Sequence, residues 1–341
     1  MVMAEQLNPL VAIVMPALNE EQHIASAISS ILPSSSELQY ELLVVDGGSC
    51  DRTREIVANM ARTNARIKLL HNPKRIQSAA VNIAAHAAHP SARYLVRADC
   101  HARYPADFVE RCIATLVAKD VASVVVPMQT VGYTCLQRAI ASAQNSRMGN
   151  GGSRHRLVGW SGFVDHGHHA AFDRKTFLHL KGYDELISNN EDAEFDIRLI
   201  RAGKRIYLEG AVAIQYFPRA QLSSLARQYH NFGWGTANTL LRQRNRPKLR
   251  RVLPVLLVLG CLLSLLFAAI DVRSLAFPAL YVLLATGWGA ALAIGQRDFC
   301  VLASGPAAIV MHLTWGFGFS RRLLWPDRNK AAPAWRVPGR R

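Results

Sequence analysis

The chain has 341 residues, with 40 Lys and Arg against 24 Asp and Glu, giving a formal net charge of +16. This length excludes a single small domain and leaves room for a catalytic domain plus a membrane part. The basic excess is uneven: no acidic residue occurs from Ala211 to Ile270, while Arg242, Arg244, Arg246, Lys248, Arg250 and Arg251 crowd before a long apolar run. Such a cluster reads as the cytoplasmic flank of a membrane segment touching anionic lipid headgroups. Nucleic acid is excluded as a partner because no recognised nucleic-acid motif accompanies the charge. The six cysteines, at 50, 100, 112, 135, 261 and 300, form no C-x-x-C pair, so neither a disulfide framework nor a zinc site is expected. Met1 to Leu10 carries Glu5 and no long apolar stretch, which argues against a cleaved signal peptide and for a catalytic part in the reducing cytoplasm.

In chain order, Leu10 to Pro16 is a continuous apolar run, as a strand covered on both faces should be. Asn19 is placed to cap a helix over Glu20 to Leu32, whose Ile24, Ala27, Ile28 and Ile31 share one face. Glu41 to Val45 reads as a second strand ending at Asp46, and Asp51 as the cap of a helix through Met60. Arg66 to His71, Tyr94 to Ala98 and Ser123 to Met128 are further strands, separated by helices over Gln77 to Ala88 and from Pro105 to about Lys119. This alternation predicts an α/β fold with a parallel sheet. Gly149 to Gly167 is rich in Gly, Ser, Arg and His and reads as a long mobile loop. Regular structure returns at Thr176 to Leu180, then in a helix over Glu191 to Ala202 stopped by Gly203. A β segment over Arg205 to Phe217 and a basic helix over Leu222 to about Arg244 follow. Three apolar stretches close the chain: Val252 to Ile270, Leu275 to Gly295 and Cys300 to Phe319. The first two have the length of a membrane span, and the third, with His312 and several glycines, is weaker.

Several residues carry chemistry at strand ends, where open α/β sheets bind ligands. Asp46 is followed by Gly47 and Gly48, an acceptor carboxylate beside backbone that a ligand can approach closely; alone, the same residues read as a tight turn. The first strand ends Pro16-Ala17-Leu18-Asn19-Glu20 without glycine, which disfavours a dinucleotide-binding fold. Asp99-Cys100-His101 puts a carboxylate and an imidazole two positions apart, suited to one divalent ion whose other oxygens come from a nucleotide diphosphate. Glu191-Asp192 opens a helix, where acids are ordinarily partners of the helix dipole. His166-Gly167-His168-His169 lacks a spacing that aims all three imidazoles at one point, so it reads as a loop lining an acceptor site rather than a metal centre.

Taken as an ordered set, Val14 to Glu20, Val45 to Asp51, Ala98 to His101 and Glu191 to Phe195 resemble an inverting family 2 glycosyltransferase of the GT-A fold. Within it, Gly182-Tyr183-Asp184-Glu185 and the stretch from Asp196 to Ile206 are similar to the succinoglycan-biosynthesis subgroup. The resemblance covers roughly residues 10 to 245 and implies a mostly parallel sheet flanked by helices, followed by transmembrane helices. It implies that Pro16, Asn19, Glu20, Asp46, Gly48 and Asp99 bind the nucleotide sugar, with Asp46 on the uridine. It places Asp99 and His101 at the family's Asp-x-Asp metal site. There the histidine weakens the case for Mg²⁺ and suits Mn²⁺. Glu191 and Asp192 match the family's acidic pair, whose second member is the base. Processive members carry Gln-x-x-Arg-Trp; here Gln228-Tyr229-His230-Asn231-Phe232 keeps only the glutamine, which argues for addition of one sugar. Gln228 and His168 fall on the acceptor or product side.

The expected protein is therefore an enzyme of the cell inner (plasma) membrane. A cytoplasmic GT-A domain (residues 1–245) precedes a membrane domain (246–320) and a basic tail (321–341). It would move one hexose, glucose from UDP-glucose, to a polyprenyl-diphosphate-linked saccharide in exopolysaccharide assembly. Transfer to polyprenyl phosphate itself, in the manner of dolichyl-phosphate mannose synthase, is the enzymatic alternative. A nucleotide- or lipid-binding membrane scaffold is the non-enzymatic one. Three spans would place the basic tail opposite the cluster before Val252, against the positive-inside tendency, so one stretch is expected not to cross.

Overall fold

The computed structural model describes residues 10–325 apart from 154, 155, 157, 188 and 246. Of the expected basic tail, Arg328, Lys330, Arg336, Arg340 and Arg341 lie outside the described residues, as does Arg246 of the cluster. In chain order the first elements are β1 (Leu10–Ala17), α1 (Ile24–Ile31), β2 (Tyr40–Asp46), α2 (Thr53–Thr63), β3 (Ile67–His71) and α3 (Gln77–Ala87). Then come β4 (Ala92–Arg97), β5 (Ala102–Arg103), α4 (Phe108–Ala118), β6 (Ser123–Val126), β7 (Met128–Thr130), α5 (Cys135–Asn145) and α6 (Arg147–Asn150). Next are β8 (Gly162–Val164), β9 (His168–Asp173), α7 (Arg174–His179), α8 (Glu191–Arg201), β10 (Ile206–Leu208) and β11 (Ile214–Tyr216). The chain continues through α9 (Leu222–Gln243), α10 (Leu249–Phe267), α11 (Ala276–Gln296) and α12 (Ser304–Leu324). The described residues pack into two compact units, one of residues 10–129 and those described between 156 and 216, the other of Thr130–Ser153 with residues 217–325.

The first unit is built on an eight-stranded sheet in the order β3-β2-β1-β4-β9-β6-β10-β8. β1 pairs parallel with β2 and β4, and β10 with β6. The sheet is mixed rather than all parallel, because β9 runs antiparallel between β4 and β6, and β8 antiparallel beside β10. Val11, Ile13 and Met15 of β1, Leu42 and Val44 of β2 and Val96 of β4 join α1 and α4 in one core. Burial on both faces is why the middle of these strands, Val11 to Met15, Leu42 to Val45 and Leu95 to Val96, is apolar.

Local expectations were corrected in four places. Asn19 caps nothing: α1 starts at Ile24, and Asn19 takes a left-handed φ of 57° while its Oδ1 accepts from Cys50 N–H at 2.9 Å. Asp51 does accept from Thr53 N–H at 3.0 Å, one residue ahead of the α2 N-cap. The stretch expected as a loop from Gly149 to Gly167 holds α6 and β8, and His168 and His169 open β9. Arg205 to Phe217 splits into β10 and β11, and β11 pairs antiparallel with β5 in a separate small sheet.

α8 is fixed by Arg198, which is buried. Its Nε and Nη2 donate to Glu194 at 2.7 and 2.6 Å, one helical turn back, and its other bonds satisfy the carbonyls of Leu180 and Gly182.

In the second unit α12 lies parallel to α9. Leu225 packs with Ala307, Ala308 and Met311 at one end, and Arg322 Nε donates to Asn238 Oδ1 at 3.0 Å near the other. The backbones touch: a Cβ at Gly233 would stand 1.9 Å from the Trp315 carbonyl oxygen, and one at Gly318 2.1 Å from that of His230. Leu249–Phe267, Val272–Gln296 and Phe299–Leu324 are long and apolar enough to cross a membrane by length and composition. A disulfide joins Cys135 to Cys300, contrary to the expectation that none forms. Helix packing, not sequence spacing, brings α5 to the turn before α12.

Two outcomes test this packing. Arg198→Met strands the Glu194 carboxylate in the core, so denaturant melts should lose about 3–5 kcal/mol. Gly318→Val should pry α12 from α9 and open new protease cuts in α9; an unchanged digestion pattern would contradict that close approach.

Candidate active site

The carboxyl ends of β1, β2 and β4 lie side by side, and each leads into a polar residue. Asp46 closes β2, buried, with its carboxylate accepting from Gly48 N–H at 2.9 Å and Ser49 N–H at 3.1 Å. Gly48 has φ 81°, which favours glycine, so the turn is built by the acid and the glycine together. After β1, Asn19 N–H donates to Ser49 Oγ and Glu20 N–H to Thr53 Oγ1, binding the two loops into one rim. Pro16, half-buried, accepts from Cys100 Sγ through its carbonyl at 3.1 Å. Nothing in sequence spacing revealed that lacing.

β4 ends at Arg97, a cation only 6% exposed. Its Nε is 3.5 Å from Asp99 Oδ1, its Nη1 3.5 Å from Glu191 Oε1, and Nη1 donates to Tyr183 Oη at 3.3 Å. Burial opposes ionisation of Asp99, but Arg97, helped by His168 and His101, outweighs it and holds the carboxyl below its ordinary range. Gln77 Nε2 donates to the same Asp99 Oδ1 at 2.9 Å. The acidic pair is split. Burial pushes Glu191 up in spite of Arg97, with Asp192 adding to the rise. Burial also opposes the charge on half-buried Asp192, yet His166, His169 and Arg97 bring it down to about 2. Environments that separate two neighbouring acids in this way set up distinct proton roles.

The histidines form an ordered chain. Asp196, fully buried one turn beyond Asp192, accepts from His166 Nδ1 and His169 Nε2, both at 2.8 Å. His169 Nδ1 lies 2.6 Å from Tyr183 Oη, so both of its ring nitrogens are hydrogen-bonded inside the core. His168 Nε2 lies 3.4 Å from Asp99 Oδ2. Burial lowers His168 to about 4 even against the pull of Asp99, so the contact is a polar one between a neutral ring and a carboxylate rather than an ion pair.

Of the expected residues, Asp99, Glu191, Asp192 and His168 are brought together around Arg97, and Asp46, Asn19 and Glu20 form the neighbouring rim. His101 is partly exposed, with Nδ1 3.7 Å from Glu20 Oε1. His168, expected on the acceptor or product side, stands beside Asp99. Gln228 lies on α9 in the second unit. Sequence reasoning missed Arg97, Tyr183 and Asp196. The available signal was an arginine following the buried run Tyr94-Leu95-Val96, since a buried charge needs partners. For a cation, Asp99 and His101 supply two donors, and among the described residues no group of three or more His, Cys, Asp or Glu could hold an ion alone. Two protein donors suit Mg²⁺ or Mn²⁺ completed by substrate phosphates and water.

The buried neutral imidazole makes stability depend on acid. His168 sits at about 4 folded against an ordinary 6.5, so its contribution is intact above pH 6.5 and is lost as pH falls toward 4. Asp99 and Asp192 add losses at still lower pH, while the raised Glu191 works the other way. In EDTA, the melting temperature should fall between pH 6.5 and 4, and His168→Asn should flatten that fall; equal slopes would exclude His168 as its source.

Comparison with known proteins agrees with this geometry. Residues 12–180 match the model of Glycosyl transferase family 2. The chain is 43% identical over 312 residues to the succinoglycan biosynthesis protein ExoA of Rhizobium meliloti (strain 1021), covering 92% of this chain and 94% of that one. It is 23% identical, over 65% of its length and 71% of the relative's, to a Methanococcus voltae glucuronosyltransferase described as acting on dolichyl N-acetyl-α-D-glucosaminyl phosphate. In fold it is similar to a Pyrobaculum calidifontis mannosyltransferase solved with GDP-Man and Mn²⁺, with TM-score 0.58, 19% identity, and coverage of 95% of this chain and 89% of that one. The non-enzymatic scaffold is set aside: this chain belongs to glycosyltransferase family 2, has the GT-A fold, and is a glycosyltransferase.

Proposed function

We propose that this enzyme is an inverting transferase that moves one hexose, glucose from UDP-glucose, onto a polyprenyl-diphosphate-linked saccharide in exopolysaccharide assembly. The observation that carries the reading is Asp192, a half-buried carboxylate kept ionised in the same cluster as Asp99. The likeness to ExoA supports the polysaccharide context, and the archaeal relative's description supports an acceptor on a lipid phosphate.

In the proposed reaction Asp192 takes the proton of the acceptor hydroxyl as its oxygen attacks the anomeric carbon opposite the departing diphosphate. Glu191, with its raised pKa, keeps Asp192 oriented beside Arg97 rather than acting as base. Asp46, with Gly48, Asn19, Glu20 and Pro16, lines the nucleotide pocket; its turn bonds leave lone pairs for the uridine. Asp99 and His101 would hold a divalent cation, Mg²⁺ or Mn²⁺, which when bound stabilises charge on the leaving diphosphate. Gln228 is assigned to the acceptor side.

Residues 1–245 would act as the catalytic domain facing the cytoplasm, 246–320 as the membrane domain and 321–341 as a basic tail. The protein would sit in the inner (plasma) membrane, with the arginines before α10 on anionic lipid headgroups.

Membranes containing the full chain should transfer radiolabel from UDP-glucose, within a panel of nucleotide sugars, to an extractable lipid product one hexose longer than its acceptor. A product that is a single sugar on polyprenyl phosphate would instead establish the alternative acceptor. Asp192→Asn should keep UDP binding and lose about 10²- to 10⁴-fold in turnover. Asp99→Ala should abolish metal-dependent UDP binding. Full turnover by either variant, or in excess EDTA, would overturn the corresponding role.

A further inference from the structure

The bridge between Cys135 and Cys300 stands where small thiols can reach it. Cys135 is exposed, and Cys300 is half-buried in the turn Phe299–Ala303 that leads into α12. Its surroundings are polar. Arg138, exposed one turn along α5, donates through Nη2 to Cys300 Sγ at 2.9 Å, and its Nη1 lies 3.4 Å from Asp298 Oδ2. Gln296 Nε2 donates to Ser142 Oγ at 2.8 Å in the same contact. An accessible disulfide is the labile kind, and a guanidinium against one sulfur stabilises the thiolate that leaves when the bond is attacked. Only residues 131–134 separate Cys135 from the end of β7, too short a segment to cross a bilayer. The bridge therefore shares the compartment of β7, which the reading above makes the reducing cytoplasm.

We propose that Cys135 and Cys300 form a redox-responsive latch, opened by exchange with a glutathione-class thiol, that tightens the packing beneath the acceptor-side stretch of α9. The attacking thiolate bonds to exposed Cys135 Sγ as the bridge breaks, and the electron pair leaves on Cys300 Sγ beside Arg138. A second thiolate then attacks the small thiol's own sulfur in the mixed disulfide and expels the Cys135 thiolate. Two small thiols are oxidised to one disulfide, the bridge is reduced, and the protons of the two attacking thiols pass through water to the two cysteines.

The latch acts on one apolar cluster. Ile140 and Ala143 of α5 pack with Leu225 of α9 and with Ala307, Ala308 and Met311 of α12, and Leu136 and Tyr229 lie against them. Leu136 adjoins Cys135, and Tyr229 adjoins Gln228. The cluster, the Arg138–Asp298 pair and the Gln296–Ser142 bond do not need the bridge, so opening loosens α5 without unfolding the unit. The proposal rests on the reading above in two respects: cytoplasmic placement decides which form prevails in the cell, and Gln228 on the acceptor side decides what the latch affects.

The test equilibrates the full chain in membranes with reduced and oxidised glutathione over a series of ratios. Iodoacetamide then quenches exchange, and peptides carrying Cys135 and Cys300 are read by mass spectrometry, which separates them from the other cysteines. The pair should pass from bonded to alkylated within the series, and Arg138→Ala should need a glutathione ratio about tenfold more reducing. Trypsin should cut wild type after Arg138 about tenfold faster in the reduced form. Reduction should raise the acceptor KM about fivefold while calorimetric UDP binding stays unchanged, and Cys135→Ser should hold the reduced KM at every ratio. A pair bonded at every ratio is a static bridge, and one alkylated at every ratio never closes; either overturns the proposal on wild type alone. Equal acceptor KM in the two wild-type forms overturns the latch's effect on α9. If no nucleotide sugar is turned over, the transfer reading fails while alkylation and proteolysis still decide the latch. If the pair titrates in membranes yet is bonded when cells are alkylated directly, the cytoplasmic placement fails and the latch stands.

Discussion

The guanidinium of Arg97 is the constraint around which the site is organised. A cation buried to that degree is costly unless anions and hydrogen-bond partners surround it. Asp99 comes from the same strand end, Glu191 from the start of α8, and Tyr183 from the turn that precedes α8. One buried charge thus ties together three separate stretches of chain. It also explains why Asp99 stays ionised in a place where burial alone would protonate it. Arg97 donates to Tyr183, Tyr183 Oη is hydrogen-bonded to His169 Nδ1, and His169 Nε2 to the Asp196 carboxylate. The chain of hydrogen bonds runs from Arg97 at the end of β4 to Asp196 on α8, so replacing one member leaves its neighbour short of a buried partner.

What the sequence made legible were the features with strong local signatures. Buried parallel strands are apolar on both faces, so β1, β2 and β4 stand out, and polar residues immediately after them fall at the sheet edge that binds ligands. The helix of Glu191 was readable from its periodicity and from the Glu194–Arg198 spacing. The family resemblance then joined the pieces.

What was not legible depends on partners distant in sequence. His168 and His169 sit in a segment whose composition suggests a loop, yet they pair as the start of β9 because β4 and β6 leave an antiparallel slot between them. Antiparallel entry explains where His168 stands. A strand running the opposite way begins at the edge where β4 ends, so its first residues arrive beside Asp99 rather than across the site. Asn19 was misread for a similar reason: its carbonyl oxygen is used by the Cys50 amide, a bond that exists only once the two loops are laced together. The Cys135–Cys300 bridge likewise follows from helix packing over a separation of 165 residues.

The helical unit answers a difficulty that counting spans could not. Reading three successive crossings from the sequence puts the basic residues before α10 and those ending α12 on opposite sides. The packing does otherwise. α12 runs parallel to α9, so Arg322 meets Asn238 near the end of α9, and Gly316 lies close against the carbonyl of Pro254 in the first turns of α10. The end of α12, with Arg321 and Arg322, thus lies beside the end of α9, which carries Arg242. The positive-inside tendency asks only that such residues share a side. Helix packing, which counting apolar stretches along the sequence cannot supply, is what brings the ends of α9 and α12 together.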